Sequence, residues 1–171
     1  MSGALRSVGA PVGARGYHPT GQPVLLAPGE AVEVVPATLT VPVGVLTLRV
    51  IGDVKTTACT SYGGSRENGS PYLCIGHVDP TGSFIRVSVV LRYPGSACPA
   101  TVVSMRNVFD DAIRHHVMTF QSGSYLVPVL RLCGSTVRVS VVVQVLAGSD
   151  LVVHAHGTTS AVFPALWVRR R

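Results

Sequence analysis

Between Thr136 and Leu146 the chain reads TVRVSVVVQVL, with Val137, Val139, Val141, Val143 and Val145 on one parity and Arg138, Ser140 and Gln144 on the other. A period of two is the period of a β-strand. β-Branched side chains at every second position suit a pleated surface with one face buried, and Val142 among the polar set implies that the other face is partly covered. The stretch predicts a central strand.

Shorter alternations supply its neighbours. Within 84–93, Ile85, Val87, Val89, Leu91 and Tyr93 face one way and Arg86, Ser88 and Arg92 the other. Between Glu30 and Ile51 the apolar parity switches near Val45, from Leu39, Val41, Val43 and Val45 to Leu46, Leu48 and Val50. Pro42 and Gly44 supply the backbone for a bulge or corner there. Further strands are expected at 71–78, 100–106, 117–121, 125–133, 151–156 and 161–168, with Asp79-Pro80-Thr81-Gly82 as a turn. Asn107 to His116 predicts the one helical turn, since Asp110 and Asp111 suit a helix N-terminus and His115 and His116 its C-terminal end. Gly52 to Ser70 is polar and glycine-rich, the longest exposed loop.

About eight to ten short strands, punctuated by turn residues every 8–12 positions, predict an all-β chain: an antiparallel β-sandwich, read as a single jelly roll. Residues 1–29 carry Pro11, Pro19, Pro23 and Pro28 and are expected to form an extended arm. Residues 30–171 are then one domain, which at this length buries roughly 70% of its unfolded surface.

Hydrophobic residues make up 47% of the chain and charged residues 13%, about half the usual share of roughly 25%. The surface is therefore rich in Ser, Thr, Gly and apolar side chains, a composition that suits a chain living in an assembly. The net charge is +6, from thirteen arginines and the single Lys55 against eight acids. Only Arg169, Arg170 and Arg171 form a basic run, a candidate for non-specific phosphate or nucleic-acid contact. Aromatics, at 6%, do not interleave with arginine as a single-strand stacking platform would. No apolar run is long enough to span a membrane, and the N-terminus lacks a signal peptide's apolar core, so synthesis in the cytosol is expected. Cys59, Cys74, Cys98 and Cys133 contain no CxxC; free buried thiols are expected there, with a Cys59 to Cys74 bridge as the alternative in an oxidising space.

Chemistry is thinly signalled. Gly148-Ser149-Asp150-Leu151-Val152-Val153-His154-Ala155-His156 resembles the opening of the first cupin motif, and histidines at i and i+2 of a strand face one side, where both would reach one metal inside a barrel mouth. The acid that the motif places a few positions later is absent from 157–162. His77 and Asp79 sit beside a turn, where Asp79 caps rather than ligates. No acid and base pair, P-loop, nucleophile elbow or Rossmann glycine pattern stands out. No catalytic residue and no cofactor are expected.

A sandwich, an arm and a weakly charged surface together resemble the single jelly-roll coat proteins of small icosahedral viruses, in which the strands build the shell and arms tie subunits together. That resemblance implies a structural subunit located in a virion, partnered by copies of itself and other shell proteins. Arg6 and Arg15 alone make a poor genome-binding arm, which sets the chain apart from coat proteins that hold RNA by their N-termini. The alternative is a ligand- or glycan-binding sandwich using the 52–70 loop with Tyr62 and Tyr72; a metal enzyme at His154 and His156 is a third reading.

Overall fold

A computed structural model describes residues 5–8, 13–17, 23–60, 73–74, 76–77, 79–111, 118–154, 158–162 and 166–169; at 5–8, 13–17, 158–162 and 166–169 it describes the backbone. The strands among these residues are β1 (Leu5–Val8), β2 (Gly13–Tyr17), β3 (Val24–Leu26), β4 (Ala31–Thr40), β5 (Thr47–Ala58), β6 (Ser83–Arg92), β7 (Thr101–Asp110), β8 (Met118–Gln121), β9 (Tyr125–Pro128), β10 (Thr136–Gly148), β11 (Leu151–Val153), β12 (Thr158–Val162) and β13 (Leu166–Arg169). Every strand pair is antiparallel.

Two sheets carry the fold. One has the order β4-β10-β6-β7. The other is built on the long β5, which pairs β12 and β11 along one side and β9 and β8 along the other; β2 and β3 extend it beyond β12 and β11. Successive long strands β4, β5 and β6 alternate between the sheets, and this order is that of a jelly roll rather than of an immunoglobulin sandwich. β1 and β13 form a separate two-stranded ladder.

The alternation in the sequence explains the packing. Val137, Val139, Val141, Val143 and Val145 of β10 are all buried and meet Leu48, Val50 and Val54 of the opposite sheet, while Ile85, Val87, Val89 and Leu91 extend the same core. Each fully buried valine or leucine contributes about 1.5–3 kcal/mol. Gly52 leaves room for the opposite sheet's side chains: a Cβ there would fall 2.8 Å from a Val89 methyl and 2.9 Å from a Val141 methyl. On the outer face of the four-stranded sheet, Glu33 of β4 joins its neighbours, accepting from Arg138 Nε at 3.0 Å and pairing with Arg92 Nη1 at 3.3 Å.

The parity switch near Val45 is the corner between sheets. β4 ends at Thr40 in one, Gly44 takes a positive φ of 88°, and β5 begins at Thr47 in the other. Other expectations are corrected. The helical turn from Asn107 fails because β7 runs on through Asp110, whose carboxylate is buried and accepts from the Thr56 hydroxyl of β5. The loop expected over Gly52 to Ser70 is corrected at its start, where β5 extends to Ala58, and 61–70 lie outside the described residues. The strand expected at 71–78 is replaced at Leu73, Cys74 and Gly76 by turns, and that expected at 125–133 stops at Pro128, followed by a 3-10 turn over Arg131–Cys133. Free thiols give way to two disulfides, Cys59–Cys74 and Cys98–Cys133. The fold brings the Cα atoms of each pair to 5.3 and 5.8 Å, a juxtaposition that spacing along the chain does not encode.

Candidate functional site

Register places three connections at one end of the sandwich. Thr40 pairs with Thr136, Arg92 with Arg138, Leu91 with Thr101 and Thr47 with Pro128, so segments 41–46, 93–100 and 129–135 lie together. They are bound to one another by backbone bonds, Val41 N to Ser135 O at 2.7 Å and Val129 N to Leu46 O at 2.8 Å. Arg131 completes the joint. Its guanidinium donates to the carbonyls of Val41 at 3.0 Å and Val45 at 2.8 Å, and to that of Pro42. Buried Tyr93 accepts the Leu130 N–H at 2.6 Å, and the Cys98–Cys133 bridge ties the 93–100 segment to the 3-10 turn.

This framework presents aliphatic side chains to solvent. Leu132 is 103% exposed, Val43 98% and Leu46 71%; Leu130 lies beside them, and Leu126, 62% exposed, continues the patch along β9. None of the chain's eight acids falls in these three segments. Arg49, which pairs in register with Leu126 and is exposed, adds a positive charge at the margin.

A second apolar surface lies along β7, the edge strand of its sheet, which among the described residues pairs only with β6. A bulge opposite Val89 and Val90 sets Val102 on the same outer face as Met105 and Phe109, and Phe84 pairs with Phe109 across the ladder. All four side chains are exposed. Between the sheets beneath this edge lies a shallow cleft walled by Gly52, Val87, Val89 and Phe120, with Ser104 and Arg106 at its rim.

The opposite end holds most of the polar chemistry. His154 is buried on the outer face of the β5 sheet, its Nε2 2.8 Å from Thr57 Oγ1, next to a small core of Cys59, Cys74 and Val152. It therefore points away from the space between the sheets, into which its neighbours Leu151 and Val153 project. His77 Nδ1 pairs with Asp150 Oδ2 at 2.8 Å. Asp79 accepts from both the backbone N–H and the hydroxyl of Thr81, and these bonds hold its carboxyl below the usual aspartate range.

The expected site residues are thus dispersed. His156, His115, His116, Tyr62, Tyr72, Arg170 and Arg171 lie outside the described residues, while Arg169 closes the β13 ladder opposite Leu5. Among the described residues no three His, Cys, Asp or Glu side chains come together as a metal site. The sequence predicts one strand over 125–133 without signalling which of its two apolar parities faces out: Val127 and Val129 are buried, Leu126 and Leu130 are exposed, and Leu132 lies in the 3-10 turn.

No protein-family model matches the chain, and no curated protein matches it in sequence. Solved structures do. An Eiger TNF from S. frugiperda is similar with a TM-score of 0.52 at 7% identity, covering 94% of both chains. A chain in the structure of infectious bursal disease virus, Gt strain, is similar with a TM-score of 0.51 at 9% identity over 90% of this chain and 32% of that one; the Gx strain gives 0.50 at 10%, with the same coverage. This chain spans about a third of the length of those viral chains. At such identities the likeness establishes the fold, an antiparallel jelly-roll sandwich.

Proposed function

We propose that this chain is a non-enzymatic structural subunit of a protein shell, a viral capsid among such shells, and acts by self-association. The observation that carries the reading is the β7 edge: ten residues with one side unpaired among the described residues and Val102, Met105 and Phe109 exposed on its outer face, free of proline and lysine, with a bulge beside Val102 and Arg106 at the cleft rim confining any added pairing to part of its length. Exposed edges of this kind template contact with another strand or face. The likeness of fold to a chain of infectious bursal disease virus supports the same reading, as does the low charged fraction.

Light scattering on the full chain over a range of salt and protein concentration tests it. Discrete assemblies are expected, and Met105→Lys with Phe109→Lys should dissolve them while circular dichroism stays unchanged. A monomer under every condition would refute the proposal. Removing residues 1–29 is a poor test of assembly, because that deletion strips β2 and β3 from the β5 sheet.

A further inference from the structure

The apolar end is built differently from the β7 edge. Its side chains stand on convex loop tips, and the two most exposed, Val43 and Leu132, project almost without neighbours. The backbone beneath them is fixed by Arg131, Tyr93 and the Cys98–Cys133 bridge, so the tips are presented in one arrangement. Such a surface fits a partner that yields around it.

Charge narrows the partner further. Glu30, Asp79, Asp111 and Asp150 lie in or beside the connections of the opposite end, Glu33, Asp53 and Asp110 lie in strands, Glu67 lies outside the described residues, and none of the eight belongs to the three segments of the apolar end. Arg49 is exposed beside Leu126, and the cation within the tip, Arg131, is turned inward onto carbonyls. Aliphatic tips without acid, with a cation at the margin, are the composition that binds a membrane interface carrying negative headgroups, where apolar burial and electrostatic attraction add.

We propose that this end of the sandwich docks on an anionic lipid bilayer, with Val43, Leu46, Leu126, Leu130 and Leu132 entering the interface and Arg49 meeting the headgroup charge. The contact is peripheral and reversible, because four side chains on the connections and one on β9 do not span the hydrocarbon.

Co-sedimentation of the full chain with phosphatidylcholine vesicles, with and without phosphatidylserine, is the test. Binding to the phosphatidylserine vesicles is expected, weakened about tenfold or more by Val43→Glu with Leu132→Glu and severalfold by Arg49→Glu. Both tip positions are solvent-exposed, so circular dichroism should not change. No binding by the wild-type chain, or equal binding by the Val43→Glu, Leu132→Glu variant, would overturn the proposal. So would a variant that loses self-association in light scattering while vesicle binding is absent from both proteins; that result would make the end a contact between copies. Equal binding to vesicles with and without phosphatidylserine would overturn the role of Arg49.

Discussion

Arg131 Nη2 donates to the carbonyl oxygen of Val45 at 2.8 Å, across a sequence separation of 86 residues. One guanidinium thereby joins the corner where the chain changes sheets to the connection that leads into β10. Arginine suits the position because its planar fork addresses several acceptors at once, whereas a lysine ammonium is a single point on a flexible stem.

Replacing Arg131 with alanine should therefore destabilise the fold by about 2–3 kcal/mol, the range for a charged donor removed from partly buried acceptors. Arg131→Lys should recover less than half of this. Urea unfolding of the two variants measures both, and a loss in Arg131→Ala below about 0.5 kcal/mol would mean that the joint is held by its backbone bonds alone.

Exposure and burial predict opposite responses from residues of the same type. Leu132→Ser should change stability by no more than about 0.5 kcal/mol, because the side chain touches little when folded. Leu48→Ala, at a fully buried position between the sheets, should cost about 2–5 kcal/mol. Similar losses in the two variants, read from denaturant midpoints, would contradict the placement of Leu132 at the tip.

Gly148 takes a positive φ of 93°, and a Cβ there would overlap the carbonyl oxygen of Gly82, where β10 and β6 meet in register at Gly148 and Ser83. The clash is with backbone, which no rotamer change relieves. Gly29 takes a similar φ of 92° but has open space around it, so Gly29→Ala carries backbone strain of about 1–2 kcal/mol alone, whereas Gly148→Ala adds the clash and is expected to cost about 1 kcal/mol more than that or beyond. Equal thermal midpoints for the two would count against this register.

The long strands were legible because their buried faces obey a strict period of two. Val137 to Val145 and Ile85 to Leu91 lie where parity put them, and the switch at Val45 marks the crossing between sheets. β7 was misread at its end because Asp110 resembles a helix-capping residue until its partner is known, and that partner, Thr56, lies 54 residues away. The Cys98–Cys133 pairing and the joint made by Arg131 are likewise long-range facts, whereas the Cys59–Cys74 bridge, 15 residues apart, is the one the sequence offers as its alternative to free thiols. Over 126–130 both parities are apolar, so alternation alone does not tell that Val127 and Val129 go inside and Leu126 and Leu130 outside.

Reduction should expose how far the disulfides support the ends of the sandwich. Cys59–Cys74 spans 15 residues and Cys98–Cys133 spans 35, and loop-closure entropy assigns each about 3–4 kcal/mol. Serine pairs at 59 and 74, and separately at 98 and 133, should each lower the urea midpoint, and a reductant should reproduce the sum. Rapid labelling of all four thiols in native protein purified under oxidising conditions would refute the pairing. Bonds of this kind persist in oxidising spaces.

Acid should loosen the outer face of the four-stranded sheet through Glu33. Partial burial alone would raise its carboxyl, but the hydrogen bond from Arg138 and the charges of Arg92 and Arg138 outweigh that and hold it below the ordinary glutamate value. A folded-state pKa below the unfolded one gives stability that is present above the unfolded value, about 4.3, and is lost as pH falls through the folded value. Between pH 7 and about pH 5 the contribution should stay flat, and below about pH 4.3 it should decline. The carboxylate is substantially solvent-exposed, so the effect is small. Glu33→Gln removes the titration and leaves the similar, separate contribution of Asp79 in place. Denaturant midpoints of wild type and Glu33→Gln should therefore differ near neutral pH and converge toward pH 3, and curves that stay parallel across that range would show that the two arginines do not hold Glu33 in its charged form.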